Sequence, residues 1–156
     1  MLKKVQKPKN RKAGKHFAIV ASRYNNRYVD SMLRAAQRCL NGAGAQTIKI
    51  VRVPGAYEIP LIAAQLARTH HPRLDAIICL GVILRGATTH AQHIAESVSY
   101  ALSEVQLKYE IPIIHEVLLL ENEQQAKERC LDPKRNRGLE AAQTALEMAW
   151  IVRSLR

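Results

Sequence analysis

The segment GVILRGATTH at residues 81–90 holds the densest potential for chemistry in the chain. Gly86 and Ala87 are small and leave backbone N–H groups open to a ligand. Thr89 followed by Gln92 has the spacing of a capping box, which marks the start of a helix. A helix N-terminus with open amides and a threonine hydroxyl is an anion site. His90 falls in the first turn beside it, and an imidazole can both donate and accept protons. A surface histidine on a helix would have the same signature, and His93 and His115 show that histidine is not rare here.

Three other places offer side chains of the right type. In VPGAYEIP at 53–60, Gly55 permits close backbone approach and Glu58 falls in the first turn of a helix. A carboxylate there accepts hydrogen bonds from a polyol, or simply complements the helix dipole. In Arg23-Tyr24-Asn25-Asn26, the Tyr24 ring can cover a flat ligand or pack on a helix start. Arg129 and the basic loop from Pro133 to Gly138, with Arg137 inside it, offer planar forks that suit phosphate. They also suit a solvated loop. His115-Glu116 stands between these in an apolar stretch.

Such residues need elements to hold them. Apolar runs predict strands at His16–Ser22, Asp75–Leu84 and Pro112–Leu120, and alternation predicts one at Thr47–Val53. Helical spacing covers 27–43, Tyr57–His70, Thr89–Tyr109, Asn122–Leu131 and Gly138–Leu155. Gly42 and Gly44 end the first of these helices, and Pro60 sits in the first turn of the second, where proline is tolerated. The βαβαβαβαα order predicts an α/β fold with a parallel sheet covered on both faces. In such sheets ligands bind at the carboxyl ends of the strands. That directs attention to the residues after Ser22, Val53, Leu84 and His115.

The 156 residues suit one domain, and no apolar run reaches the length of a membrane span. No apolar segment follows the charged start, so no signal peptide is expected. Cys39, Cys79 and Cys130 are odd in number and widely spaced, which suggests neither a disulfide framework nor a zinc site. Cys39 and Cys79 read as small core residues, and a cytoplasmic setting is the simplest. The net charge of +11 is uneven: seven Lys and Arg lie between Lys3 and Lys15 with no acid, leaving +4 elsewhere. Residues 1–15 are expected to form a flexible basic tail, either solvated or weakly engaging an anionic partner.

In order and spacing these motifs resemble the lumazine synthase family over nearly all of residues 16–156. VPGAYEIP and GVILRGATTH are similar to its second- and third-strand motifs. QQAKERC at 124–130 and the stretches at 138–142 and 146–149 are similar to its C-terminal part. The resemblance implies a flavodoxin-like three-layer αβα sandwich and no metal or organic cofactor. It implies condensation of 5-amino-6-(D-ribitylamino)uracil with L-3,4-dihydroxy-2-butanone 4-phosphate, releasing phosphate and water. It also implies a homo-oligomer, either a pentamer or twelve pentamers in an icosahedral shell. Residue by residue, it puts Tyr24 and Asn25 against the pyrimidine, and Ala56, Tyr57 and Glu58 along the ribityl chain. Ile83 and Leu84 read the uracil edge through their backbone. Ala87, Thr88 and Arg129 bind phosphate, and His90 is the general acid/base. His115 and Arg137 come from the adjacent subunit.

The chain departs from the family pattern in places. His115 stands where phenylalanine is usual, Glu116 where glycine is usual and Arg137 where lysine is usual. Tyr24 replaces a commoner phenylalanine or tryptophan. Pro133 lies in a segment that usually has glycines. Two further readings stay open on these grounds: a flavin- or lumazine-binding paralogue with weakened catalysis, and a shell whose basic tail recruits anionic cargo or RNA.

Overall fold

The computed structural model describes residues 14–156. Four strands, β1 (His16–Ser22), β2 (Thr47–Val53), β3 (Ala76–Leu84) and β4 (Ile113–Leu120), form an all-parallel sheet in the order β2-β1-β3-β4. Five helices alternate with them or follow them: α1 (Asn26–Gly42), α2 (Ile59–Thr69), α3 (His90–Tyr109), α4 (Glu123–Cys130) and α5 (Arg137–Ser154). The result is the expected three-layer α/β sandwich.

The layers follow from the period-2 pattern of the strands. Phe17, Ile19 and Ala21 of β1 and Ile78, Leu80 and Val82 of β3 face one core, with α1, α4 and α5. The alternate residues Ala18, Val20, Ile77 and Cys79 face the other, with α2 and α3. Both faces of the central strands are therefore apolar, as parallel sheets require. On the first face α5 presents Ala141, Ala142, Ala145 and Ala149, all buried, so α1 can approach closely. Gly138 marks the tightest point: a Cβ there would lie 2.0 Å from the Met32 carbonyl oxygen.

The boundaries differ from the sequence expectations in physically informative ways. The helix expected over Tyr57–His70 opens instead as a 3-10 turn over Ala56–Glu58, with Pro60 in the first turn of α2. The capping box expected at Thr89 does not form. Thr89 precedes α3 without a side-chain cap, and Gln92 donates to Glu96 at 2.8 Å. An exposed carboxylate one turn ahead outcompetes a backbone amide three residues behind. β4 ends at Leu120, so His115 lies inside the strand and not past its end. Of the two cysteines read as core, Cys79 is buried and Cys39 is only partly so. Burial raises the Cys79 thiol pKa, and it pushes Cys130 up to about 11, so both stay protonated and unreactive. Lys15, at the edge of the expected tail, donates its amide to Asp75 at 2.6 Å. Gly14 beside it is buried, and the rest of that expectation, residues 1–13, lies outside the described residues. No helix among the described residues is long and apolar enough to cross a membrane.

Candidate active site

In the order β2-β1-β3-β4 all strands run parallel, but the direction in which successive strands are added to the sheet reverses between β1 and β3. Loops leaving those two strands therefore diverge to opposite faces and open a crevice. A cavity of about 790 Å³ occupies this position. It is lined from the β1 exit by Tyr24 and Asn25, from the β2 exit by Gly55, Ala56, Tyr57 and Glu58, from β3 by Val82, Ile83 and Leu84, and from α3 by His90, His93, Ile94 and Ser97.

Local hydrogen bonds set each wall. The Arg23 and Tyr24 amides donate to Val53 and Pro54 carbonyls at 2.8 and 3.1 Å, so the β1 exit is laced to the β2 exit. Asn25 adopts the left-handed conformation (φ 57°), which asparagine tolerates better than most residues. Its side-chain amide donates to the Val82 carbonyl at 2.7 Å, bridging the crevice at its base. This turn places the Tyr24 ring against Gly55. A Cβ at Gly55 would sit 2.9 Å from the ring, so only glycine lets it lie there. Tyr24 is nonetheless 70% exposed. Its outward side is a flat apolar platform.

Glu58 turns back on the same glycine, and its Oε2 accepts the Gly55 amide at 2.8 Å. The carboxylate is otherwise exposed at the cavity wall. Residues 86–90 are all exposed, and the base of their loop is tied to the β4 exit. Arg85 donates its amide to the Leu120 carbonyl and pairs with Glu121, both at 2.9 Å. His90 opens α3 at the cavity, with its amide 3.4 Å from Thr88 Oγ1.

The structure brings together Tyr24, Asn25, Ala56, Tyr57, Glu58, Ile83, Leu84 and His90. Ala87 and Thr88 sit at the loop tip and do not line the cavity. His115, Arg129 and Arg137 also lie away from it in this chain. Arg129 is exposed on α4, in the layer opposite α2 and α3. Arg137, the first residue of α5, donates to Glu116 through Nε and Nη2 at 3.0 and 2.8 Å, and to Glu140 at 2.6 Å. Glu116 is buried, and that burial raises its carboxyl pKa despite the guanidinium beside it. The two carboxylates in turn hold Arg137 more firmly charged, against the cost of its own partial burial. Asn136 clamps this corner: its Oδ1 accepts the Gly138 amide at 2.9 Å while its Nδ2 donates to the Cys130 carbonyl at 2.7 Å.

His93, Ile94 and Ser97 escaped the sequence reading. The signal was present, because 90, 93, 94 and 97 share one face of a helix. His93 Nε2 lies 3.3 Å from Thr89 Oγ1. Among the described residues no three His, Cys, Asp or Glu side chains converge as a metal-ligand set.

Residues 14–153 match the family model for 6,7-dimethyl-8-ribityllumazine synthase. The chain belongs to that family. It is 42% identical over 145 residues to the 6,7-dimethyl-8-ribityllumazine synthase of Aquifex aeolicus, covering 92% of this chain and 93% of that one. The enzyme of the same name from Clostridium kluyveri is 39% identical over 154 residues, covering 97% and 99%. The one from Stenotrophomonas maltophilia is 40% identical over 141 residues, covering 89% and 90%. The family is one of transferase enzymes of riboflavin biosynthesis, and the crevice at the sheet's reversal point is its candidate active site in this chain.

Proposed function

We propose that the enzyme condenses 5-amino-6-(D-ribitylamino)uracil with L-3,4-dihydroxy-2-butanone 4-phosphate, forming 6,7-dimethyl-8-ribityllumazine with release of phosphate and water. The observation that carries this reading is the cavity's composition. The Tyr24 platform backed by Gly55 suits a flat pyrimidine, the Glu58 carboxylate suits a ribityl hydroxyl chain, and His90 stands at the third wall. The pyrimidine amine attacks the ketone and water is lost to give an imine. Phosphate then leaves, the resulting enol tautomerises to a ketone, and the ribityl-bearing nitrogen attacks that carbonyl, closing the ring with loss of a second water. Each step moves a proton, which His90 relays. The amine is already nucleophilic, so much of the remaining acceleration comes from holding two substrates together. The exposed Ala87 and Thr88 at the start of α3 suit the phosphate.

In this reading the site is shared between copies of a ring-shaped homo-oligomer, with His115, Arg129 and Arg137 supplied by a neighbour. The cations and the cavity lie in different parts of one chain, which supports such an arrangement. A heterologous ring interface makes it possible, because each copy offers two different faces. The test is direct: purified protein is mixed with both substrates while lumazine fluorescence and phosphate release are followed. Stoichiometric appearance of both supports the reading, and neither appearing refutes it.

One observation favours a second reading, a lumazine- or flavin-binding relative with reduced turnover. The Arg137 fork is already engaged by Glu116 and Glu140. Tight binding of the lumazine with no turnover of the two substrates would decide for it.

A further inference from the structure

His115 sits in a hydrogen-bond chain whose direction is fixed at both ends. The Val117 amide can only donate, and it points at His115 Nδ1 at 3.1 Å. The Ala95 carbonyl can only accept, and Ser99 Oγ lies 2.8 Å from it. Between them, His115 Nε2 and Ser99 Oγ are 2.7 Å apart. One arrangement of protons satisfies all three contacts. Nδ1 is the bare acceptor, Nε2 carries the proton and gives it to Ser99, and the Ser99 hydroxyl donates to Ala95. A proton on Nδ1 would face the Val117 N–H and break the first contact.

We propose that Ser99 is a positioning residue that, with the Val117 amide, locks His115 as the uncharged Nε2–H tautomer and fixes its ring plane. This rests on the reading above, in which His115 of one copy faces the pyrimidine bound in the next. The lock explains how an imidazole can stand where the family usually has phenylalanine: at an exposed strand position it is held neutral and flat. Desolvation by its surroundings independently keeps the imidazole below its ordinary pKa. Two consequences follow. Nε2 has no free lone pair, so His115 cannot deprotonate Ser99, and the pair is not a nucleophilic dyad despite its length. Nor can His115 carry protons for the reaction, which leaves that work to the strand-end cavity.

The test is magic-angle-spinning NMR on the assembled protein labelled with [15N]histidine, with the His115 signals assigned by their loss in His115→Phe. The wild-type ring is expected to show one pyridine-type nitrogen at Nδ1 and one protonated nitrogen at Nε2 at neutral pH. Ser99→Ala, at an exposed helix position where alanine is well tolerated, is expected to free the ring to rotate off the Val117 amide and so release a mixture of tautomers. Ser99→Thr is expected to restore one. In the activity assay, Ser99→Ala should raise KM for the pyrimidine roughly two- to tenfold, the worth of one hydrogen bond, with kcat little changed. A protonated Nδ1 in the wild type, or a single unchanged tautomer in Ser99→Ala, overturns the lock. Released tautomers with an unchanged KM would uphold the lock and refute the placement of His115 in the pyrimidine site.

Discussion

The crevice between β1 and β3 and the corner between β4 and α5 use polar residues in opposite ways. In the crevice, Tyr24, Glu58 and His90 are exposed, and the contacts that position them are mostly backbone contacts. At the corner, Glu116 is buried under a bidentate guanidinium, Asn136 is buried with its side chain bonded on both sides, and Gly138 touches the α1 backbone. The first arrangement leaves side chains available to a ligand. The second uses its polar groups to hold the fold. Changing the crevice should therefore alter rates with little cost in stability, whereas changing the corner should cost stability.

The largest separation is expected from His90→Ala. Loss of a general acid/base typically costs about 10²–10⁴-fold in turnover. An exposed residue at a helix start should change stability by no more than roughly 0.5 kcal/mol. Turnover at saturating substrate and urea unfolding of the same preparation measure both, and unchanged turnover would remove His90 from the chemistry. Arg137→Ala should carry a stability cost that His90→Ala lacks. It strands Glu116 in the interior, and breaking a buried pair costs about 3–5 kcal/mol, less the part relieved by protonation of the carboxyl. The double variant Glu116→Leu with Arg137→Met should recover much of that stability, since apolar replacement of a buried pair is often neutral. If Arg137→Ala unfolds at the wild-type urea midpoint, the corner is not the structural element described.

Smaller effects sharpen the contrast. Arg129→Ala should weaken the butanone phosphate by about 1.5–3 kcal/mol, the range for a hydrogen bond to a charged group, and leave pyrimidine affinity nearly intact. Equal losses for both substrates would argue against a dedicated phosphate role. The smallest expected effect is on stability against pH. The folded chain binds a proton on His115 less readily than the unfolded chain does, because burial lowers its pKa from the ordinary 6.5. Its contribution is thus intact above 6.5 and lost as pH falls through the folded value. His115→Phe should flatten the acid side of the stability curve relative to wild type, and superimposable curves would show that His115 is not desolvated.

Much of this was legible in the sequence, for reasons that differ by element. The central strands are nearly continuous apolar runs because both faces are covered, the edge strand β2 alternates, and β1 and β2 match their expected bounds to the residue. The crevice was legible because its residues lie next to strand ends, where the fold itself directs ligands. What escaped depends on partners distant in sequence. Nothing near Glu116 indicates that Arg137, 21 residues later, folds back on it, nor does anything near Ser99 indicate His115. Gln92 bonding to Glu96 instead of capping is a competition between neighbours that spacing alone does not decide. His93 could have been found by carrying the helical period forward from His90.

The central claim is that a working site needs the crevice of one copy and the cations of another. Mixing His90→Ala with Arg129→Ala through unfolding and reassembly tests it most directly. Neither variant alone contains an intact site. In mixed closed rings, random one-to-one pairing sets an intact His90 beside an intact Arg129 at about a quarter of the interfaces. Activity near a quarter of wild type, with mixed rings verified by mass spectrometry, is the predicted result. Mixed rings no more active than the separate variants would contradict the shared site.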